Sequence, residues 1–140
     1  MTAKEFLNQP YELQKQIEIK KQKAKYYRML ADSVSSPGFE EHYSASRNTE
    51  APFVRYLNNV SELEYEIKED SIRLDTLKNE IDLAINVIED ENEAMVLRYR
   101  YVMMWPMNKI AKKMHYTLRW VQTIHVRAVT HFEILHPSSP

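Results

Sequence analysis

Residues 107–132 are MNKIAKKMHYTLRWVQTIHVRAVTHF, in which two helical periods flank a short interruption. Met107, Ile110, Ala111 and Met114 recur at three- and four-residue steps, which predicts a short helix with Asn108, Lys109, Lys112 and Lys113 outside. His115 and Tyr116 interrupt that period. Thr117 suits an N-cap, and from there a longer helix runs through Phe132 with Val121, Ile124, Ala128 and Phe132 buried. A short helix, a brief turn and a longer helix make the helix-turn-helix layout. Its turn needs one residue near φ > 0, usually Gly. This chain offers His115, and His is among the non-Gly residues that tolerate that region. Ala111 is small where the two helices must cross, and Tyr116 is expected to plug the space between them.

Upstream, a helix is expected from Glu91 or Asn92 to about Met103, with Ala94, Met95, Leu97 and Val102 apolar and Arg98 and Arg100 solvated. Asp90, Glu91 and Glu93 lie at its start, where negative charge opposes the helix dipole favourably. Trp105-Pro106 breaks the pattern, and Pro106 suits the first residue of the next helix. Earlier still, Phe53, Val60, Ile67, Leu74, Ile81 and Ile88 fall at strict seven-residue spacing. Tyr56, Leu63, Leu77 and Ala84 sit three residues after their neighbours, and only Asp70 breaks that second set. Such heptads specify a long coiled-coil-like helix starting near Pro52.

The first helix is expected from about Tyr11 to Ser33, with Pro10 in its first turn and Leu13, Ile17, Ala24, Tyr27, Ala31 and Val34 on its seam. Lys20 interrupts that seam. Antiparallel pairing with facing residue numbers summing to about 90 sets Leu13 against Leu77, Ala24 against Ile67 and Tyr27 against Leu63. The same register places Lys20 against Asp70, a polar pair that would fix the alignment. The other reading is that each helix pairs with its counterpart in a second chain, giving a homodimer. Between the helices, residues 34–51 (VSSPGFEEHYSASRNTEA) carry turn chemistry and the only Gly. They read as a surface linker or, through their Ser and Arg residues, as a phosphate-binding loop. The expected organisation is all-α: an antiparallel helical hairpin over 1–90 with its connector at 34–51, a helix-turn-helix over 91–135, and a disordered tail over 136–140.

The 140 residues hold 19 Lys plus Arg against 20 Asp plus Glu, and no Cys. Without Cys there is no disulfide scaffold, thiol nucleophile or Cys-ligated zinc, which suits a reducing cytoplasm. One Gly leaves no Gly-rich phosphate loop. No uncharged apolar run is long enough to span a bilayer, and the first residues have no apolar signal-peptide core. The net charge is –1, but its distribution is uneven. From Ala94 to Phe132 there are seven basic residues (Arg98, Arg100, Lys109, Lys112, Lys113, Arg119, Arg127) and no acid, whereas Glu62–Glu93 holds twelve acids against three bases. A purely basic terminal segment marks a polyanion-binding module.

The segment MVLRYRYVMMWPMNKIAKKMHYTLRWVQTIHVRAV resembles region 4 of sigma-70 factors. Val96, Leu97, Arg98, Arg100, Tyr101, Ile110, Ala111, Thr117, Val121, Ile124, Arg127 and Ala128 fill the matching places. It departs from that pattern in lacking acidic residues in the first motif helix and the Gly of the turn, and no other sigma region is expected in 140 residues. A helical N-terminal half followed by a sigma-like end is similar to small phage and prophage proteins of Gram-positive bacteria, the ArpU and RinA types, regarded as regulators of phage late transcription. The resemblance implies a sequence-specific, double-stranded-DNA-binding regulator in the bacterial cytoplasm. It also implies RNA polymerase as a candidate partner, with the hairpin giving dimerisation or a docking surface for it. The alternative is a phage adaptor that holds DNA without promoter choice.

Burying Val121, Ile124 and Ala128 turns Leu118, Arg119, Gln122, Thr123 and Val126 outward, and these are the base-facing places of the sigma-like motif. Gln122 matches adenine, Arg119 guanine or a phosphate, and Leu118 and Val126 thymine methyls. Lys109, Lys112, Lys113 and Arg127 would hold phosphates. Trp120 has two readings, a cover for the first motif helix or a contact to the DNA backbone. His115, His125, His131 and His136 form no i, i+4 pair, so no metal site is expected, and His125 and His131 read as phosphate-facing or partly buried. No nucleophile or acid–base arrangement follows from spacing, so neither enzymatic activity nor a cofactor is expected.

Overall fold

The computed structural model describes residues 1–34 and 47–137, with backbone alone for 47–51. It comprises α1 (Ala3–Val34), α2 (Arg47–Ile85), α3 (Glu91–Leu97), α4 (Met107–Met114) and α5 (Leu118–Leu135). Among the described residues there is no strand, so the protein is all-α. Residues 35–46 of the expected connector and 138–140 of the expected tail lie outside the described residues. Two compact units are formed, one by Gln14–Ile72 and the other by Met1–Leu13 with Arg73–Pro140. No described helix is long and apolar enough to cross a membrane.

In Gln14–Ile72 the buried apolar residues Ile17, Ala31 and Val60 follow the heptad reading. The two polar interruptions meet, with Lys20 Nζ 2.6 Å from Asp70 Oδ2, and the Asp70 side chain is only 8% exposed. A carboxylate so enclosed is costly unless paired and hydrogen-bonded. Arg28 pairs with Glu64. Tyr27 stacks on Tyr56 with ring centroids 6.3 Å apart, one heptad ahead of Leu63.

Both long helices start earlier than their prolines suggest. Pro10 lies inside α1 rather than in its first turn, and Pro52 lies inside α2, of which Arg47–Ala51 are already helical. For α1 the reason is visible. Thr2 Oγ1 accepts from the Glu5 N–H at 3.1 Å, capping the helix, and Ala3 and Leu7 enter a core with Ile81, Ile85 and Phe132. Pro10 is itself fully buried, so apolar burial offsets the hydrogen bond its ring nitrogen cannot donate.

After α2 ends, the Ile88 N–H turns back to the Ile85 carbonyl at 3.0 Å and Asp90 caps α3, accepting from the Glu93 N–H at 3.1 Å. The helix expected to continue to Met103 instead widens into a π-turn over Arg98–Val102, closed by Met103 N–H to Arg98 carbonyl at 2.9 Å. Arg98 and Arg100 are therefore half-buried, not solvated. Arg98 Nε donates to Asp82 Oδ1 at 2.8 Å, while Arg100 lies over the Tyr11 ring and donates to the Trp105 carbonyl at 3.1 Å. Met95, expected to be apolar and inward, is 40% exposed, and Val96 takes the core. Pro106 stands just before α4 in extended conformation, not as its first residue.

Candidate nucleic-acid interface

Two apolar clusters hold α3, α4 and α5 together. Ala94, Leu97, Tyr101, Ala128 and Phe132 belong to one, and Val96, Ile110, Ala111, Val121 and Ile124 to the other. Ala111 is 5% exposed, small enough for the close approach that its position demands. All four expected α5 core residues are buried. The turn between α4 and α5 closes as its residue types require. His115 adopts φ 60°, ψ 39°, and the Tyr116 N–H donates to the Ala111 carbonyl at 3.0 Å, the αL ending of a helix with His in the place of Gly. Thr117 Oγ1 then accepts from the Trp120 N–H at 3.1 Å and caps α5. Tyr116 does not plug the crossing; its side chain is exposed.

This packing leaves one side of α5 outward. Leu118, Arg119, Gln122 and Val126 are exposed, and Thr123 is half-buried with its hydroxyl donating to the Arg119 carbonyl at 3.0 Å. Lys109, Lys112, Lys113 and Arg127 are exposed as well. Among the described residues none of the five cations Lys109, Lys112, Lys113, Arg119 and Arg127 pairs with a carboxylate. Two of them rest on indoles instead. Lys109 Nζ lies 4.2 Å from the centre of the Trp105 ring, which stacks on Tyr99 at 4.7 Å, and Arg127 lies 5.4 Å from the Trp120 ring. Trp120 is 41% exposed and serves as a platform on α5 itself. A cation held over an aromatic face keeps its charge available while losing conformational freedom.

Three of the described histidines, His125, His131 and His136, are engaged within the protein. Tyr101 Oη lies 2.6 Å from His125 Nε2. Burial pushes the Tyr101 hydroxyl up to about 12, against the opposing effect of Arg100. Burial also lowers the His125 imidazole, and the charges of Arg100 and Lys4 lower it further. A phenol that keeps its proton and a neutral ring therefore share this hydrogen bond. His131 Nδ1 bonds Glu93, whose carboxylate is buried at the start of α3, and His136 Nε2 lies 2.9 Å from the Ala84 carbonyl. His131 is thus a structural partner of Glu93 while its side chain stays partly exposed.

The indole platforms are the feature of the candidate interface that the sequence reading missed. Trp120 and Arg127, seven residues apart on one helix, carry a readable signal. Tyr99 and Trp105 meet only because the Trp105 N–H returns to the Tyr99 carbonyl at 2.9 Å after the π-turn. No protein-family model, curated protein or solved structure matches the chain.

Proposed function

We propose that this chain is a phage- or prophage-encoded, sequence-specific DNA-binding transcriptional regulator of the bacterial cytoplasm. It acts without enzymatic activity or cofactor, and α4 and α5 form its sigma region 4-like helix-turn-helix. The observation that carries this reading is the outward side of α5 with its neighbouring cations. Leu118, Arg119, Gln122 and Val126 are exposed beside five positive charges that have no carboxylate partner among the described residues. A polyanion satisfies such charges, and a duplex groove admits such a helix. In this geometry α5 enters the major groove while α4 crosses the backbone. The phage assignment rests on the resemblance to ArpU- and RinA-type proteins.

The Lys20–Asp70 and Arg28–Glu64 pairs support an antiparallel hairpin, available for homodimerisation or for docking RNA polymerase. Tyr27→Cys combined with Leu63→Cys should then crosslink within one chain; crosslinking only between chains replaces the hairpin with a helix-exchanged dimer. Binding to a promoter-region duplex and to random duplex at two salt concentrations tests the function. A regulator keeps a specificity ratio of ~10³ or more. Gln122→Ala should cost ~1–3 kcal/mol on the specific duplex and leave random DNA unchanged. Lys112→Ala should weaken both and lower the salt slope by about 0.9.

Ile19, Tyr26, Met29 and Tyr65 are exposed in Gln14–Ile72, and this apolar surface favours a second reading, a non-enzymatic phage adaptor that contacts protein and holds DNA without choosing sequence. Equal loss on both duplexes for Gln122→Ala gives that reading the lead.

A further inference from the structure

Resting on the reading of α5 as the groove-facing helix, we infer that the target is read through thymine 5-methyl groups, so that A·T pairs carry its specificity. The outward side of α5 has few hydrogen-bond donors to spend. Leu118 and Val126 are 44% and 65% exposed and carry no polar side-chain atom. The Thr123 hydroxyl donates to the Arg119 carbonyl at 3.0 Å, and the Thr130 hydroxyl to the Val126 carbonyl at 2.9 Å. A hydroxyl has a single proton, so each threonine has a methyl group and acceptor lone pairs left to offer. The donors remaining are Arg119 and Gln122, with Arg127 at the edge of this side over the Trp120 ring.

The edges of base pairs in the major groove respond differently to such a surface. Guanine and cytosine present polar atoms, and desolvating them against Leu or Val leaves hydrogen bonds unmade. Thymine alone among the four bases presents a methyl group there. Leu118 and Val126 lie eight residues apart, about 12 Å along the helix axis, so they reach different base pairs. Gln122 lies midway, and its amide matches adenine, thymine's own partner. Three neighbouring side chains thus favour the same base pair by two kinds of contact, while Arg119 remains for guanine or a phosphate.

Deoxyuridine in place of thymidine isolates the methyl group, because it keeps the pairing and the O4 acceptor. Duplexes are first selected from a random pool by the full chain, then resynthesised with deoxyuridine. The selected sequences should share A·T pairs. Affinity should fall about fourfold for each buried methyl removed and about fifteenfold for two. The double variant Leu118→Ala, Val126→Ala should melt as the parent does, both side chains being exposed, and should bind the two duplexes alike. A shared selected sequence bound equally with thymidine or deoxyuridine overturns the inference and leaves the DNA-reading role standing. A selection that returns no shared sequence overturns both.

Discussion

Among the described residues, each of the two units buries one carboxylate, and the partners differ in kind. Asp70, in Gln14–Ile72, meets the Lys20 ammonium at 2.6 Å on another helix. Glu93, in the other unit, meets the His131 imidazole. Both carboxylate side chains are 8% exposed. An ammonium offers three donors from one compact centre, whereas an imidazole offers a planar ring with two nitrogens. The surroundings differ as well. Lys20 and Asp70 interrupt heptad seams that would otherwise allow slippage by whole heptads, so their value lies in register. Glu93 sits beside apolar clusters whose alignment is already set by the shapes of Ala111, Ile124 and Phe132. One region is aligned by charge; the other is aligned chiefly by fit.

The strongest way to break this contrast is Ala111→Glu, which buries an unpaired charge where α4 and α5 cross. It should cost ~3 kcal/mol or more and abolish cooperative melting of α3–α5, while circular dichroism retains the α1 and α2 signal. Unchanged melting would place Ala111 outside the core. Next comes Lys20→Ala, expected to cost ~1–3 kcal/mol because Asp70 stays enclosed. Lys20→Leu with Asp70→Leu should restore most of that stability but allow slipped pairings, visible as mixed crosslinks between positions 27 and 63. Thr117→Ala should cost ~1 kcal/mol in chemical denaturation through the lost α5 cap.

The smallest effect concerns pH. His125 is lowered in the folded state, so the unfolded chain binds the extra proton first as pH falls below the ordinary imidazole value of about 6.5. Stability should decline as pH drops from that value toward the folded-state one and level off below it. His125→Gln should flatten this dependence in melts taken between pH 7 and 5. A parent protein whose melting is pH-independent there would show that the ring is not held neutral by burial.

Local chemistry was the legible part of the chain. His115 and Thr117 announce the turn because few residue types tolerate αL or cap a helix. Val121, Ile124, Ala128 and Phe132 announce the face of α5 because period alone sorts inside from outside. Lys20 and Asp70 announce their pairing because two interruptions need each other. What escaped were features that depend on distant residues. Pro10 stays helical because Leu7 finds Ile81 and Phe132, more than seventy residues away in the chain. Arg98 leaves solvent because Asp82 waits for it across the α2–α3 turn. In the candidate interface the exposed α5 residues could be read from period, but the support of Lys109 by Trp105 depends on a π-turn that no periodicity predicts.

The indole platforms also have an optical consequence. Trp105 and Trp120 are the only tryptophans in the chain, and each lies beneath one cation. Indole emission responds to a charge over the ring, so the intrinsic fluorescence of the unlabelled protein reports where Lys109 and Arg127 are. A ligand that draws off one cation changes the emission of one ring, and Trp105→Phe or Trp120→Phe assigns the signal to α4 or to α5. The chain thus contains two spectroscopic gauges, one for a cation on each helix of the candidate interface.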